Sequence, residues 1–154
     1  MSTHPACGLY RTTQALGEIP AGRLVYFHNH GNPGPGIYLP RDWSMNRVQW
    51  HERGNVVPGP EWSSTMRPLV AEGLYRVSAA FTCCEKNCVT FQPEQLVQLG
   101  YNGEGKAILF TPEWSARGLG FPERGTVIDE DKTRLLARLG VPESNTSPAG
   151  GLLH

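Results

Sequence analysis

Gly8-Leu9-Tyr10-Arg11 returns as Gly73-Leu74-Tyr75-Arg76, 65 residues further on. Four identities are thin evidence alone, but the features that follow them come back in the same order. Leu24-Val25 and Gly31 match Leu96-Val97 and Gly103 at an offset of 72. Ile37, Trp43-Ser44, Glu52-Arg53-Gly54 and Val56 match Ile108, Trp114-Ser115, Glu123-Arg124-Gly125 and Val127 at an offset of 71. Collinear matches of this kind indicate an internal duplication. The step from 65 to 72 places extra residues in the second copy, where Thr82-Cys83-Cys84-Glu85-Lys86-Asn87-Cys88 stands.

Each copy is too short to bury a generous core alone, so the two are expected to pack on one another. Glycine (18) and proline (13) are abundant while charged residues make up only 18% of the chain, a balance that favours short strands and many turns. Strands are expected at 8–13, 23–30, 37–39, 47–51 and 55–57 in the first copy. In the second they are expected at 74–81, 88–91, 96–101, 107–110 and 126–128. On the second of these strands Val25, Phe27 and Asn29 share one face and Leu24, Tyr26, His28 and His30 the other, and the alternation does not choose which face is buried.

The expected fold is therefore mainly β. It is a tandem duplication of a small five-stranded unit, an SH3-like or related barrel or sheet by analogy of strand count, packed as a pseudo-two-fold dimer. One short C-terminal helix is expected over 130–139, with Asp129 as N-cap and Leu135, Leu136 and Leu139 as its apolar stripe. The domain reading is an arm at 1–7, the first β unit at 8–58, a linker at 59–72, the second unit at 73–140 and a flexible tail at 141–154.

Fourteen basic residues balance fourteen acidic ones. No bulk field draws in nucleic acid or an anionic membrane, and Arg11, Arg23, Arg47, Arg53, Arg67 and Arg76 offer only a minor candidate surface for nucleic acid. No apolar run is long enough for a membrane span, and the N-terminus has no secretory pattern, so a cytoplasmic protein is expected. In that compartment the cysteines should be thiols or metal ligands.

Cys83, Cys84 and Cys88 are the most individual feature, and thiolates so close together suit zinc, completed by Cys7 or by His28, His30 or His51. Against this, the spacing departs from the usual pair separated by two residues, and adjacent cysteines on a strand would point to opposite faces. His28 and His30, two residues apart on one strand face, are also placed to share a metal ion. Trp43 and Trp114 are expected to fill core or inter-copy positions, and Glu52-Arg53 and Glu123-Arg124 to form turn-stabilising ion pairs. No nucleophile, base and orienting group can be assembled, and no motif calls for a cofactor other than zinc. The leading expectation is a non-enzymatic binding or structural module that holds a protein partner through Tyr26, Tyr38, Trp50 and Trp62. The alternative is a metal- or thiol-dependent protein, possible enzymes included, that uses Cys83, Cys84 and Cys88. Oligomeric state is left open by the sequence.

Overall fold

The computed structural model describes residues 3–31, 34–86 and 88–142. The expected tail beyond Pro142, and Asn32 and Pro33 of the first glycine-rich loop, lie outside the described residues. The first half of the chain runs β1 (Gly8–Arg11), β2 (Leu24–His28), β3 (Gly36–Tyr38), β4 (Pro40–Ser44), β5 (Arg47–Trp50), β6 (Asn55–Val56), the helical turn α1 (Pro60–Ser63) and β7 (Arg67–Pro68). The second half runs β8 (Gly73–Val77), β9 (Phe81–Thr82), β10 (Thr90–Phe91), β11 (Leu96–Tyr101) and β12 (Ala107–Phe110). It continues with β13 (Glu113–Ser115), β14 (Gly118–Gly120), β15 (Thr126–Val127), a 3-10 helix (Glu130–Leu135) and β16 (Leu136–Arg138).

Antiparallel pairing builds one five-stranded sheet in each half, ordered β6-β3-β2-β1-β7 and β15-β12-β11-β8-β16. The two orders correspond element for element, and in each a helical turn precedes the last strand. The register corresponds too: Tyr10 faces Val25 as Tyr75 faces Val97. Neither sheet closes on itself, so the expected barrels are open sheets with free outer strands. The hairpin β9–β10 stands between β8 and β11 where the first half has, between β1 and β2, only the isolated bridge of Leu16 with Ile19.

The matched residues have local physical reasons. The Tyr10 hydroxyl donates to the Ala6 carbonyl at 2.6 Å and that of Tyr75 to Ala71 at 2.5 Å, so each tyrosine ties the strand to the segment entering it. Gly54 and Gly125 each lie against the third strand of their sheet. A Cβ on Gly54 would come within 2.9 Å of the Tyr38 ring, and one on Gly125 within 2.6 Å of the Leu109 carbonyl. These contacts account for the glycines of the matched Glu-Arg-Gly triplets; their Glu-Arg residues form no ion pair with each other among the described residues. Among the described residues the ion pairs are Arg11–Glu130, Arg41–Asp42, Arg67–Glu130 and Arg76–Glu94. One sequence match is a residue out of step. In the sheets Ile37 pairs with Phe27 as Leu109 pairs with Leu99, so Ile37 occupies the place of Leu109, not of Ile108.

Val25, Phe27 and Ile37 turn inward to the first core, joined by Tyr10, Val57, Trp62 and Met66. Of the segment 59–72, read from sequence as a linker, the part up to Pro68 packs on that unit. Its β7 pairs with β1, and Trp62 is buried with its indole N–H donated to the Ala15 carbonyl at 3.1 Å. The second core gathers Tyr75, Val77, Phe81, Phe91, Val97, Leu99, Tyr101, Leu109 and Ile128, and it takes in Leu24 and Val48 from the first half.

The C-terminal helix is shorter than expected. A 3-10 segment ends at Leu135, and Leu136–Arg138 pairs with β8, because the edge of that sheet offers a ladder of backbone hydrogen bonds that one more helical turn would forgo. Asp129 stands at the N-cap position without a side-chain capping bond. Leu135 and Leu136 still pack against the second core, while Leu139 is exposed.

The halves are not related by the reciprocal contacts a two-fold arrangement requires. The first hairpin, β4–β5, turns at Met45 and Asn46, whose φ values of 52° and 66° match a type I′ turn. It lies over the outer face of β11. Asn46 Nδ2 donates to Gln98 Oε1 at 3.1 Å, Gln98 Nε2 to the Met45 carbonyl at 3.1 Å, and Trp43 Nε1 to the Tyr101 carbonyl at 2.8 Å. The matching hairpin β13–β14 makes no comparable packing on β2. Further ties between the halves come from Glu130, which pairs with Arg11 at 2.6 Å and with Arg67. Burial alone would raise its carboxyl, but the hydrogen bonds and charges of the two arginines outweigh this and hold it below the usual glutamate range.

Candidate functional site

Two clusters of ligating side chains stand out, at opposite kinds of position in the fold. The first is the thiol cluster. Strand β9 ends at Thr82, so Cys83 and Cys84 fall in a bend rather than on a strand, and the alternation that would have sent them to opposite faces does not apply. Their sulfurs are 3.5 Å apart, and the sulfurs of Cys83, Cys84 and Cys88 all lie within 4.8 Å of one another. The loop is anchored at Cys83, whose N–H donates to the Val89 carbonyl at 2.9 Å and whose carbonyl accepts the Asp129 N–H at 3.0 Å. Cys83 is buried, Cys84 half-buried and Cys88 exposed.

The electrostatics within this loop are uneven. The Lys86 backbone N–H, followed by the Cys83 thiol, holds Cys84 below the usual cysteine range. Cys88 is pushed up, chiefly by the charge of Cys84. A loop with one favoured thiolate beside a neighbour that resists ionisation gains from a cation held between them.

The second cluster joins Cys7 to His28 and His30, their ligating atoms likewise within 4.8 Å of one another. From sequence, His28 and His30 were expected either to complete the cysteine loop or to share an ion of their own, and Cys7 only to complete the loop; the structure groups the three together, and His51 joins neither cluster. The expected strand-face arrangement does bring the two imidazoles together, with ring centroids 3.9 Å apart. Asn29 organises the group. Its amide N–H donates to the Pro5 carbonyl at 3.0 Å, which turns its oxygen to accept from Cys7 Sγ at 3.2 Å and to lie 2.9 Å from His30 Nδ1. The Asn29 backbone N–H also donates to Cys7 Sγ at 3.3 Å.

The aromatic side chains are distributed differently from the expectation. Of the four candidate partner anchors, Trp62 is in the core, while Tyr26, Tyr38 and Trp50 are half-buried, with Tyr26 and Trp50 in contact at 5.9 Å between centroids. Trp43 and Trp114 do not both fill interior positions. Trp43 is 42% exposed and braced on Tyr101, and Trp114 is 81% exposed on the free hairpin. With Met45 and Leu119 they form the exposed apolar surface of the two hairpins, and Trp43, Met45, Leu119 and Phe121 line one cleft of about 770 Å³ between them. Sequence reasoning missed this surface because it read both tryptophans as interior.

Among the described residues no helix is long and apolar enough to cross a membrane. Comparison of the chain with protein-family models, with curated proteins and with solved structures returns no match.

Proposed function

We propose that this chain is a metal-binding protein built from two fused SH3-like units, and that the loop between β9 and β10 holds a zinc-class ion through Cys83, Cys84 and Cys88. The duplication is supported by the shared strand order, the shared register and the twin tyrosine hydrogen bonds. A helical turn before the closing strand supports the SH3-like reading. The metal reading is carried by one observation: three sulfurs within 4.8 Å of one another in a loop that only the second unit possesses. Soft thiolates at that separation suit zinc, and three of them leave a fourth position for water or a further donor.

Native mass spectrometry of the freshly purified chain tests this. A zinc-sized increment is expected, lost in Cys84→Ser. The melting temperature should rise by roughly 5–10 °C when free zinc stands at about 100 times Kd, and Cys84→Ser should abolish most of that rise. A metal-free protein lighter by two hydrogens would overturn the proposal in favour of an oxidised cysteine pair.

A second reading, docking of a protein partner, is favoured by the contrast between the hairpins. Val48 is 6% exposed where the first hairpin is seated, and Leu119 at the matching place is 45% exposed. Apolar side chains gathered on a free hairpin mark an interaction surface. Two such surfaces facing one another would form a symmetric dimer of this chain. Sedimentation velocity should then reveal a concentration-dependent dimer that Trp114→Ser removes. A monomer at every concentration would overturn self-docking.

A further inference from the structure

The two units expose the same sheet face to different surroundings. On the second unit the first hairpin covers it: two positions receive that hairpin and a third closes its own loop. Glu72 accepts the Val48 N–H at 3.0 Å. Gly100 leaves space where a Cβ would come within 2.9 Å of the Asn46 carbonyl oxygen. Asn102 turns its side chain inward to its own loop, accepting from the N–H groups of Glu104 and Lys106 at 2.9 and 3.0 Å. By the offsets of the matched segments, the corresponding positions on the first unit are Cys7, His28 and His30. No hairpin is seated there, and these three are the residues whose ligating atoms converge.

From this substitution of a seating face by a ligand set, we propose a second metal site, distinct from the thiol loop. In it Cys7, His28 and His30 hold a zinc-class divalent ion and leave a fourth coordination position open to an adjoining cleft. The donor set of one thiolate and two imidazoles suits zinc, and three protein ligands with an open position are the pattern of sites that bind or activate a further ligand. Asn29 supplies the supporting shell. When metal binding releases the Cys7 thiol proton to solvent, the Asn29 backbone N–H remains to stabilise the sulfur, and the amide fixed by Pro5 remains beside His30.

The cleft, about 580 Å³, is lined by His28 and His30 together with Tyr38, Glu52 and Arg53. A small anionic donor, a carboxylate in the simplest case, fits such a position, with the metal binding its oxygen and Arg53 on the cleft wall.

The test uses the full-length protein. Native mass spectrometry in the presence of zinc should give two bound equivalents. Cys7→Ser and His30→Asn, the latter installing the residue that the second unit holds there, should each lose one. Cys83→Ser/Cys84→Ser should lose the other and keep the Cys7 site. In that double variant loaded with cobalt(II), the visible absorption bands should shift on titration with acetate, a probe for the open position. Unchanged far-ultraviolet circular dichroism of His30→Asn separates ligand loss from unfolding. Should Cys7→Ser and His30→Asn, both folded, bind as much metal as the parent chain, the site is overturned while the thiol-loop proposal stands. Cobalt bands indifferent to acetate would overturn the open position.

Discussion

Replacing Trp62 by Ala is expected to destabilise the protein by about 3–5 kcal/mol, the cost of emptying a large buried aromatic site. The indole is 8% exposed, in a core shared with Tyr10, Phe27, Ile37 and Met66. Its N–H donates to the Ala15 carbonyl, and truncation removes the side-chain donor from that acceptor. The helical turn that carries Trp62 has little stability of its own. It is four residues long, begins on Pro60 after Gly59, and has no side-chain cap. It holds its shape because the ring is packed, and the chain beyond it must return as β7 to pair with β1. The variant should therefore lose both the core anchor and the order of the sheet edge. Denaturant unfolding monitored by circular dichroism measures the first effect, and hydrogen exchange at Arg11, whose partner across the edge is Arg67, reports the second. A loss under about 1 kcal/mol would mean that residues 59–72 are a linker after all.

The contrast with the sequence reading has a physical cause. Residues 59–72 contain two prolines, a glycine and no alternation, and β7 is only two residues long, so nothing local distinguishes it from a loop. Strands were legible where one face meets a core. Leu96–Tyr101 and Ala107–Phe110 fall where their apolar runs place them, because those runs are long and flanked by turn residues. The hairpin strands β4, β13 and β14 were not anticipated. Pro40–Ser44 is almost wholly exposed, and its pairing with β5 depends on a type I′ turn at Met45-Asn46, a pair in which only Asn favours positive φ. At β16 the tertiary environment overrides a local preference: charged residues followed by leucines read as helix, and a free sheet edge claims the last three as strand.

The candidate sites were legible by residue type and not by grouping. Every cysteine and histidine of the two clusters was named from sequence, and the closeness of His28 and His30 follows from strand alternation. That Cys7 belongs with them depends on the pairing of β1 with β2, which sets Gly8 opposite Phe27 and brings the residue before one strand beside the residues after the other. The one signal that could have found it was the repeat itself: Cys7, His28 and His30 all depart from their counterparts Glu72, Gly100 and Asn102.

Gly100→His, which gives the second unit the residue that His28 supplies in the first, should be the most damaging single change on the outer face. A Cβ at Gly100 would stand 2.9 Å from the Asn46 carbonyl oxygen and 3.2 Å from the Phe110 ring. The first obstacle is backbone in a tight turn, so it cannot swing aside as the end of a long side chain would. Overfilling a packed site costs about 1–3 kcal/mol, and a full imidazole against backbone belongs at the upper end of that range. The hairpin must lift, and with it go the bonds of Asn46 and Trp43 to the second unit and the burial of Val48. A loss of about 3 kcal/mol corresponds to a melting temperature lower by roughly 6–12 °C in a chain of this size. Trp43 fluorescence should shift to the red as its ring enters water. The reciprocal change, His28→Gly, sits on a face that no hairpin covers and, with both proteins metal-free, should cost only the roughly 0.5–1 kcal/mol of placing glycine in a strand. Equal losses from the two variants would contradict the asymmetry on which the distinction between a seating face and a ligand face rests, whereas a severalfold difference would tie each residue to the surroundings of its own unit.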